Sequence, residues 1–435
     1  MSEHKHFRYL LPPGTNFQFV AKFKAWIWLS VLLSVATIAI LFFNKSHRGE
    51  YMNWTIDFKG GTEVTVAFKD KSGTYLDVDA AKLRAAFDAA KEHVELSGLQ
   101  WSAKDANGKE IQIKGAIVRT TRFSALKAED TDASSTDVTN AFKDKGIIKA
   151  AWTGDRLNIR SKQLIPEFDV GPVLAKHGLE PKPWTAQEQG QFSHPDEGTL
   201  EYNQWYSVYG LDRQYEQILE KALPGTEIDI VQVDGVGAKA GDKLRDDAAK
   251  SIIYAIFLIM LYLAFRFDIR YAPGAAFATI HDAIMVVGVF ALTWTEVSLT
   301  TVAGLLTVMG YSVNETVIGF DRIRENEAKL KDKSIERIID VSINERLSRT
   351  IMTASTVFAT TLVMNIFGTG LVKNFAFAMN VGVIVATYSS IFLAAPVFLW
   401  ITKKWYSGAP VRRRVAVSAS SVAPEKVSSE DAADE

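Results

Sequence analysis

The chain has 435 residues, room for more than one domain, and its 49 basic and 50 acidic residues leave a net charge of -1, so bulk charge points to no nucleic-acid partner. It has no cysteine, which excludes disulfides and thiolate metal sites. An almost neutral mean hydropathy hides a split: residues 44–247 are polar and mixed, whereas 25–43 and 250–401 are dominated by long apolar runs.

Residues 1–24 are a basic-aromatic lead broken by Pro12-Pro13-Gly14, expected to lie as a cytoplasmic tail on the lipid headgroups. Six segments are long enough to cross about 30 Å of hydrocarbon: Ala25–Phe43, Ser251–Phe267, Tyr271–Trp294, Ser298–Phe320, Thr350–Phe367 and Phe375–Ile401. The first is predicted to be an uncleaved anchor, because its apolar core is long and Phe42-Phe43 stand where a signal peptide wants small residues.

Basic residues in the short flanks set the orientation. Lys22 and Lys24 precede the first span, and Arg266 and Arg270 separate the second and third. The 321–349 link holds Arg322, Arg324, Lys329, Lys331, Lys333, Arg337, Arg346 and Arg349, and Lys403, Lys404 and Arg412–Arg414 follow the sixth span. The alternate links carry only Glu296 and Lys373. Lys45 and Arg48 oppose this pattern but are outnumbered. Both termini are therefore predicted in the cytoplasm. Residues 402–435 would form a disordered cytoplasmic tail, and residues 44–247 a domain on the outer side between spans one and two, periplasmic in a Gram-negative cell.

Within that domain, Val64, Val66 and Phe68 alternate with polar residues as in a half-buried strand, and Gly60-Gly61 before them suggests a bulge or a close backbone approach. No Lys-Ser/Thr pair follows at phosphate-loop spacing, which argues against a nucleotide site. A helix is expected over Asp79–Glu92, then strands Val94–Trp101 and Ile111–Arg119 around the turn signal at Asp105–Gly108. A second helix over Gln214–Leu223 and a strand over Thr226–Val233 complete an α+β, ferredoxin-like order, β-α-β-β-α-β. Residues 123–209 interrupt it: Ala128–Thr136 reads as an acidic linker and Ile147–Arg160 as a hairpin, and Pro181–Pro195 is rich in Pro, Gln and Gly. His177 and His194 match no metal-ligand spacing and read as solvated loop histidines. The run containing Gly235, Gly237 and Gly241 joins the domain to the second span, and its residues alone do not distinguish a hinge from a plain linker.

Polar groups within the spans are the candidate functional residues. The third span holds His281 and Asp282, the fourth Asn314 and Glu315, and Arg349 opens the fifth. Asp282 reads as a structural carboxylate capping a neighbouring helix, Asn314 as helix–helix glue, and Arg349 alone as a snorkelling interface residue. Glu315 is either structurally paired or a proton carrier that meets an arginine when helices shift.

Four stretches resemble a known family: Ile56–Thr62 with Asp57, Gly60 and Gly61; His281-Asp282; Gly310–Thr316; and Phe320–Asn326, which includes Asp321 and Arg322. Asn344–Thr353 fits the same pattern. They resemble the SecD/SecF family of protein-export membrane proteins, within the resistance-nodulation-division superfamily, and in it the smaller subunit type, SecF. The resemblance implies six spans pairing with six in SecD, an inner-membrane location beside the SecYEG channel, and use of the proton motive force late in the export of preproteins. YajC is a further implied partner. It implies no enzyme chemistry and no cofactor other than the coupling proton. It places the essential acid at Glu315, where the family usually has Asp, and the essential base at Arg349, with Asp282 supporting. The outside domain is longer than is usual in the family, and the Gly235–Gly241 run lacks the family's proline. Half of a proton-driven small-molecule or lipid exporter is the alternative reading.

Overall fold

A computed structural model describes residues 15–104, 108, 110–266 and 269–406. Most of the expected lead and tail, Asp105–Asn107 of the expected turn, and Phe267 at the end of the second span lie outside the described residues.

The long helices are α1 (Phe23–Arg48), α8 (Ala238–Arg266), α9 (Ala272–Thr293), α10 (Leu299–Lys329), α11 (Ile335–Phe367) and α12 (Gly370–Phe392), followed by α13 (Ala394–Trp405). Among the described residues five helical stretches are long and apolar enough to cross a membrane: Val20–Arg48, Ala238–Arg266, Ala272–Thr293, Ile335–Phe367 and Gly370–Trp405. α10 has the length but carries Asn314, Glu315 and several Thr and Gly residues. It lies inside the bundle, packed on α9, α11 and α12. A helix surrounded by protein can carry polar groups that a lipid-facing helix cannot.

The helix bounds differ from expectation where apolar runs give way to charged helical turns. α8 begins at Ala238, so Gly235 belongs to a strand and Gly241 to the helix, leaving Gly237 as the junction. The expected link 321–349 is mostly helix, because α10 continues to Lys329 and α11 starts at Ile335, N-capped by Ser334. The sixth apolar run divides at Leu393, where Pro396 cannot donate a helical hydrogen bond and begins a new helix in its first turn. The lead does not lie free after residue 15. Phe19 and Val20 donate backbone N–H groups to Asp340 Oδ1 at 2.8 and 3.0 Å, and Asn344 bonds both backbone groups of Phe17.

Between α1 and α8 come β1 (Asn53–Trp54), the helical turn α2 (Ile56–Lys59), β2 (Gly61–Lys69), α3 (Ala80–Ala89), β3 (Glu95–Lys104) and β4 (Glu110–Thr120), and later α7 (Leu211–Ala222) and β8 (Glu227–Val236). The strands form an antiparallel sheet in the order β3-β4-β2-β8, with a bulge at Val231. Val64, Val66 and Phe68 turn one face of β2 onto Phe87 of α3 and Tyr215 and Leu219 of α7, as their alternation requires.

Residues 123–209 build a second small unit from α4 (Ala128–Ala141), β5 (Ile147–Thr153), β6 (Arg156–Ser161), α5 (Glu167–Ala175), α6 (Ala186–Phe192) and β7 (Tyr202–Ser207). Its sheet runs β5-β6-β7, and Val138, Leu157, Ile159, Leu174 and Tyr206 form its own core. Ala128–Thr136 is thus helix rather than linker: Glu129 and Asp130 suit the positive end of a helix dipole, and Val138 anchors the next turns. His177 faces Asp137 at 2.9 Å, while His194 is exposed. The two ends of the unit are held together by one side chain. Asp155 accepts from Ser124 Oγ, from Ala125 N at 3.1 Å and from Leu211 N at 3.2 Å.

Candidate functional site

Glu315 sits halfway along α10, 3% exposed, facing α11. Its Oε1 accepts from Thr350 Oγ1 at 2.5 Å and lies 3.4 Å from Arg346 Nη1. Arg346, 6% exposed, also donates to the Glu315 carbonyl at 2.8 Å and to Ser390 Oγ of α12 at 3.2 Å. One guanidinium therefore joins three helices around one carboxylate. Gly319, one turn after Glu315, makes room for it: a Cβ there would lie 2.8 Å from Arg346 Cζ.

The expected partner, Arg349, is not the one paired here. Residues 346 and 350 share a helix face at i,i+4 spacing, and that face also buries Ile339, Ile343 and Leu347. Arg349 is turned off it, exposed, into a cavity of about 490 Å³ lined also by Tyr262, Arg266, Asp321, Arg322 and Arg346. This cavity opens on the charged ends of α10 and α11 and reaches Arg346, the inner partner of Glu315. In the sequence Arg346 stands among the charges of the link and within the Asn344–Thr353 stretch, with no sign of a role of its own. A burial pattern of 339, 343, 346, 347 and 350 at helical spacing was the signal that could have found it.

Asp282 forms a second cluster. It is fully buried, with His281 Nδ1 3.1 Å from Oδ1, while Oδ2 accepts from Ser312 of α10 at 2.5 Å and Ser389 of α12 at 2.6 Å. Its partners among the described residues are side chains, two hydroxyls and an imidazole, rather than the backbone N–H groups of a helix start. Ser312 precedes Glu315 by one turn, and Ser389 adjoins Ser390, so the clusters are neighbours across α10 and α12. Asn314 is exposed and outside both. Asp321 pairs with Arg324 at 2.5 Å, and Arg322 pairs with Glu325 and Glu345 at 2.5 and 2.7 Å. Asn326, buried where a solvated run was expected, donates to Ser342 and Glu345.

The far end of α10 is fastened to the outer domain. Asp57 Oδ2 accepts from Leu299 N at 3.0 Å, at the first turn of α10, where a carboxylate is favoured. β1 pairs in parallel with β9 (Glu296–Val297) just before that helix. Arg119 of β4, 8% exposed, binds Glu296 in a two-pronged pair at 2.5 and 3.0 Å and Glu63 of β2 at 2.6 Å. Burial alone would lower the Arg119 pKa, but the two carboxylates outweigh it and raise it above the ordinary value. Gly60 and Gly61 have positive φ values of 73° and 122°. A Cβ on Gly60 would collide with Ala238 of α8, and one on Gly61 with the Thr120 carbonyl, so these glycines are required by close approach.

A family profile described as "Protein export membrane protein SecD/SecF, C-terminal" matches residues 214–404. Among similar relatives, the protein translocase subunit SecF of Koribacter versatilis is 30% identical over 402 residues, covering 89% of this chain and 92% of the relative. The SecF of Gemmatimonas aurantiaca is 41% identical over 197 residues, covering 45% of this chain and 59% of the relative, so there the chain is matched over less than two thirds of the relative's length. The crystal structure of SecDF from Thermus thermophilus, titled a translocon-associated membrane protein, has a TM-score of 0.55 at 21% identity and covers 90% of this chain and 39% of that one. That likeness is one of fold.

Proposed function

The chain belongs to the SecF family of protein translocase subunits, and from that premise we propose that it helps exported polypeptides cross the membrane, using proton movement through the Glu315 cluster. The observation that carries the mechanism is the buried carboxylate held by Arg346 and Thr350 between two helices. Unpaired charge is costly there, so protonation of Glu315 would leave Arg346 without its counter-ion and favour a second arrangement of α10 and α11. Arg349, three residues on and facing the cavity that reaches the site, is the guanidinium cation that would meet Glu315 in that arrangement and favour release of its proton toward the cytoplasm. Each proton moving down the field supplies roughly 2.3 kcal/mol per 100 mV. The Asp57, β1–β9 and Arg119 contacts would carry the shift of α10 to the outer sheet.

In this reading α10 is the fourth of six spans, both termini are cytoplasmic, and residues 44–247 form a periplasmic domain, ferredoxin-like in its four-stranded part. The membrane is the bacterial inner membrane. SecD supplies the other six spans, SecYEG is the channel served, and YajC is a further partner. No covalent step and no cofactor besides the proton is needed. Export of small molecules or lipids is not favoured, since the relatives are named translocase subunits. Depleting the protein should cause unprocessed exported precursors to accumulate in the cytoplasm, read by pulse labelling. Normal processing after depletion would remove the export role.

A further inference from the structure

We propose that the outer edge of β8 and the cavity beside it form a docking groove for an extended polypeptide segment, taken up by strand addition. The identity of that segment as a chain in transit rests on the export reading above. β8 is the last strand in the order β3-β4-β2-β8. Among the described residues no strand pairs with its outer side, and no backbone hydrogen bond outside the ladders involves residues 227–236. Val231 and Val233 are 47% and 44% exposed. Free edges are normally blunted by lysine, proline or a cover. Val231–Gly235 has only the bulge at Val231 and one charge, Asp234.

The cavity, of about 600 Å³, lies between this edge and residues 123–209. Val233, Gly235, Phe123, Trp184 and Trp205 line it. The Trp184 ring is fixed by its N–H donating to the Trp205 carbonyl at 2.7 Å and by packing on Tyr206. Lys182 and Asp155 add charges of both signs. An edge of unpaired N–H and C=O groups is complementary to an extended backbone, and an acyl chain, which has neither donors nor acceptors along its length, cannot satisfy it. Fixed aromatic faces with mixed charges accept varied side chains, as a segment without a fixed sequence requires.

The test uses the full chain in lipid nanodiscs. Because the chain lacks cysteine, Val233→Cys gives one attachment point for a benzophenone maleimide, and Lys143→Cys, exposed and outside the lining of the cavity, gives a reference. The probe is reduced, carboxymethylated α-lactalbumin, with the native protein as control. The groove predicts photo-crosslinking of the unfolded probe from position 233 about tenfold above position 143 and above the native control. Trp205→Ala should reduce that yield about fivefold, and Trp205→Phe should keep most of it, both at unchanged trypsin resistance. Equal yields from the two positions, or crosslinks only to lipid or to a second copy of the chain, would overturn the groove. Capture is read on purified protein and precursor accumulation in cells, so the groove and the export role fail separately.

Discussion

At the residue scale, Glu315 and Arg346 form a buried unit whose members cannot be removed singly at equal cost. Arg346→Gln leaves the Glu315 carboxylate buried beside Thr350 alone, and breaking a buried pair from one side costs about 3–5 kcal/mol. We expect that variant to be depleted in membranes. Glu315→Gln with Arg346→Gln should recover most of the level while still failing in gradient-dependent export. Glu315→Gln alone should be present but inactive in export. Immunoblotting of membranes beside precursor assays reads both quantities. Wild-type export by Glu315→Gln would remove Glu315 from proton coupling. Arg346→Lys should lower the protein level more than Arg349→Lys, because only Arg346 uses its fork on three acceptors inside the bundle.

At the element scale, α10 is a rod that runs about 24 Å from Leu299 to Glu315 at 1.5 Å per residue, with its outer end tied to the domain it would move. Arg119→Ala should leave Glu296 and Glu63 facing each other without their shared cation. The expected result is a protein that inserts normally but exports poorly, with Arg119→Lys intermediate because the two-pronged geometry is lost. Export at the wild-type rate by Arg119→Ala, at equal protein level, would show that the contact transmits nothing. A second junction, Lys182 with Asp212, ties the insertion to α7. Burial pushes the Asp212 pKa up, but the Lys182 ammonium and two backbone N–H groups outweigh it, and it lies below the ordinary value. A lowered carboxylate pKa contributes stability that is present above the unfolded value, about 3.9, and lost as pH falls through the lowered one. Trypsin-digested, acid-pulsed wild type should therefore lose protection of this junction only below about pH 4. Asp212→Asn should lack that protection from neutral pH downward, and coincident profiles for the two proteins would dismiss the contact.

At the scale of the whole molecule, residues 123–209 have a core of their own, and we expect the unit to be removable. Its core shares no buried residue with the four-stranded sheet, and Ser124 and Leu211 both bond the one Asp155 carboxylate. Loop closure across so short a gap is cheap. Replacing residues 127–208 by a short glycine-serine linker should give a protein that reaches the membrane at near wild-type level and keeps a protease-resistant outer domain. Loss of the protein would make the insertion part of the core. If the groove beside β8 serves export, the same deletion should lower export while leaving the level unchanged.

The sequence by itself determined what depends on local pattern. Apolar length marked where most of the long helices lie, alternation marked β2, and the helix and strand signals of the outer domain marked α3, β3, β4, α7 and β8. A carboxylate amid apolar residues marked Glu315 and Asp282 as groups needing partners. Tertiary structure decided which partners they have. Arg346 and Arg349 stand three residues apart on one helix with the same chemistry, and only the rotation of α11 against α10 puts the first on Glu315. The same holds for Gly319, whose missing side chain matters because a guanidinium from another helix fills the space, and for Arg119, whose partner is 177 residues away. The charged turns of α8, α10 and α11 lack the apolar run that marks a span, so their helical state was fixed by caps and packing beyond it. Local pattern fixes the faces and lengths of elements, whereas the rotation and register at which they meet are set by side chains far apart in the chain.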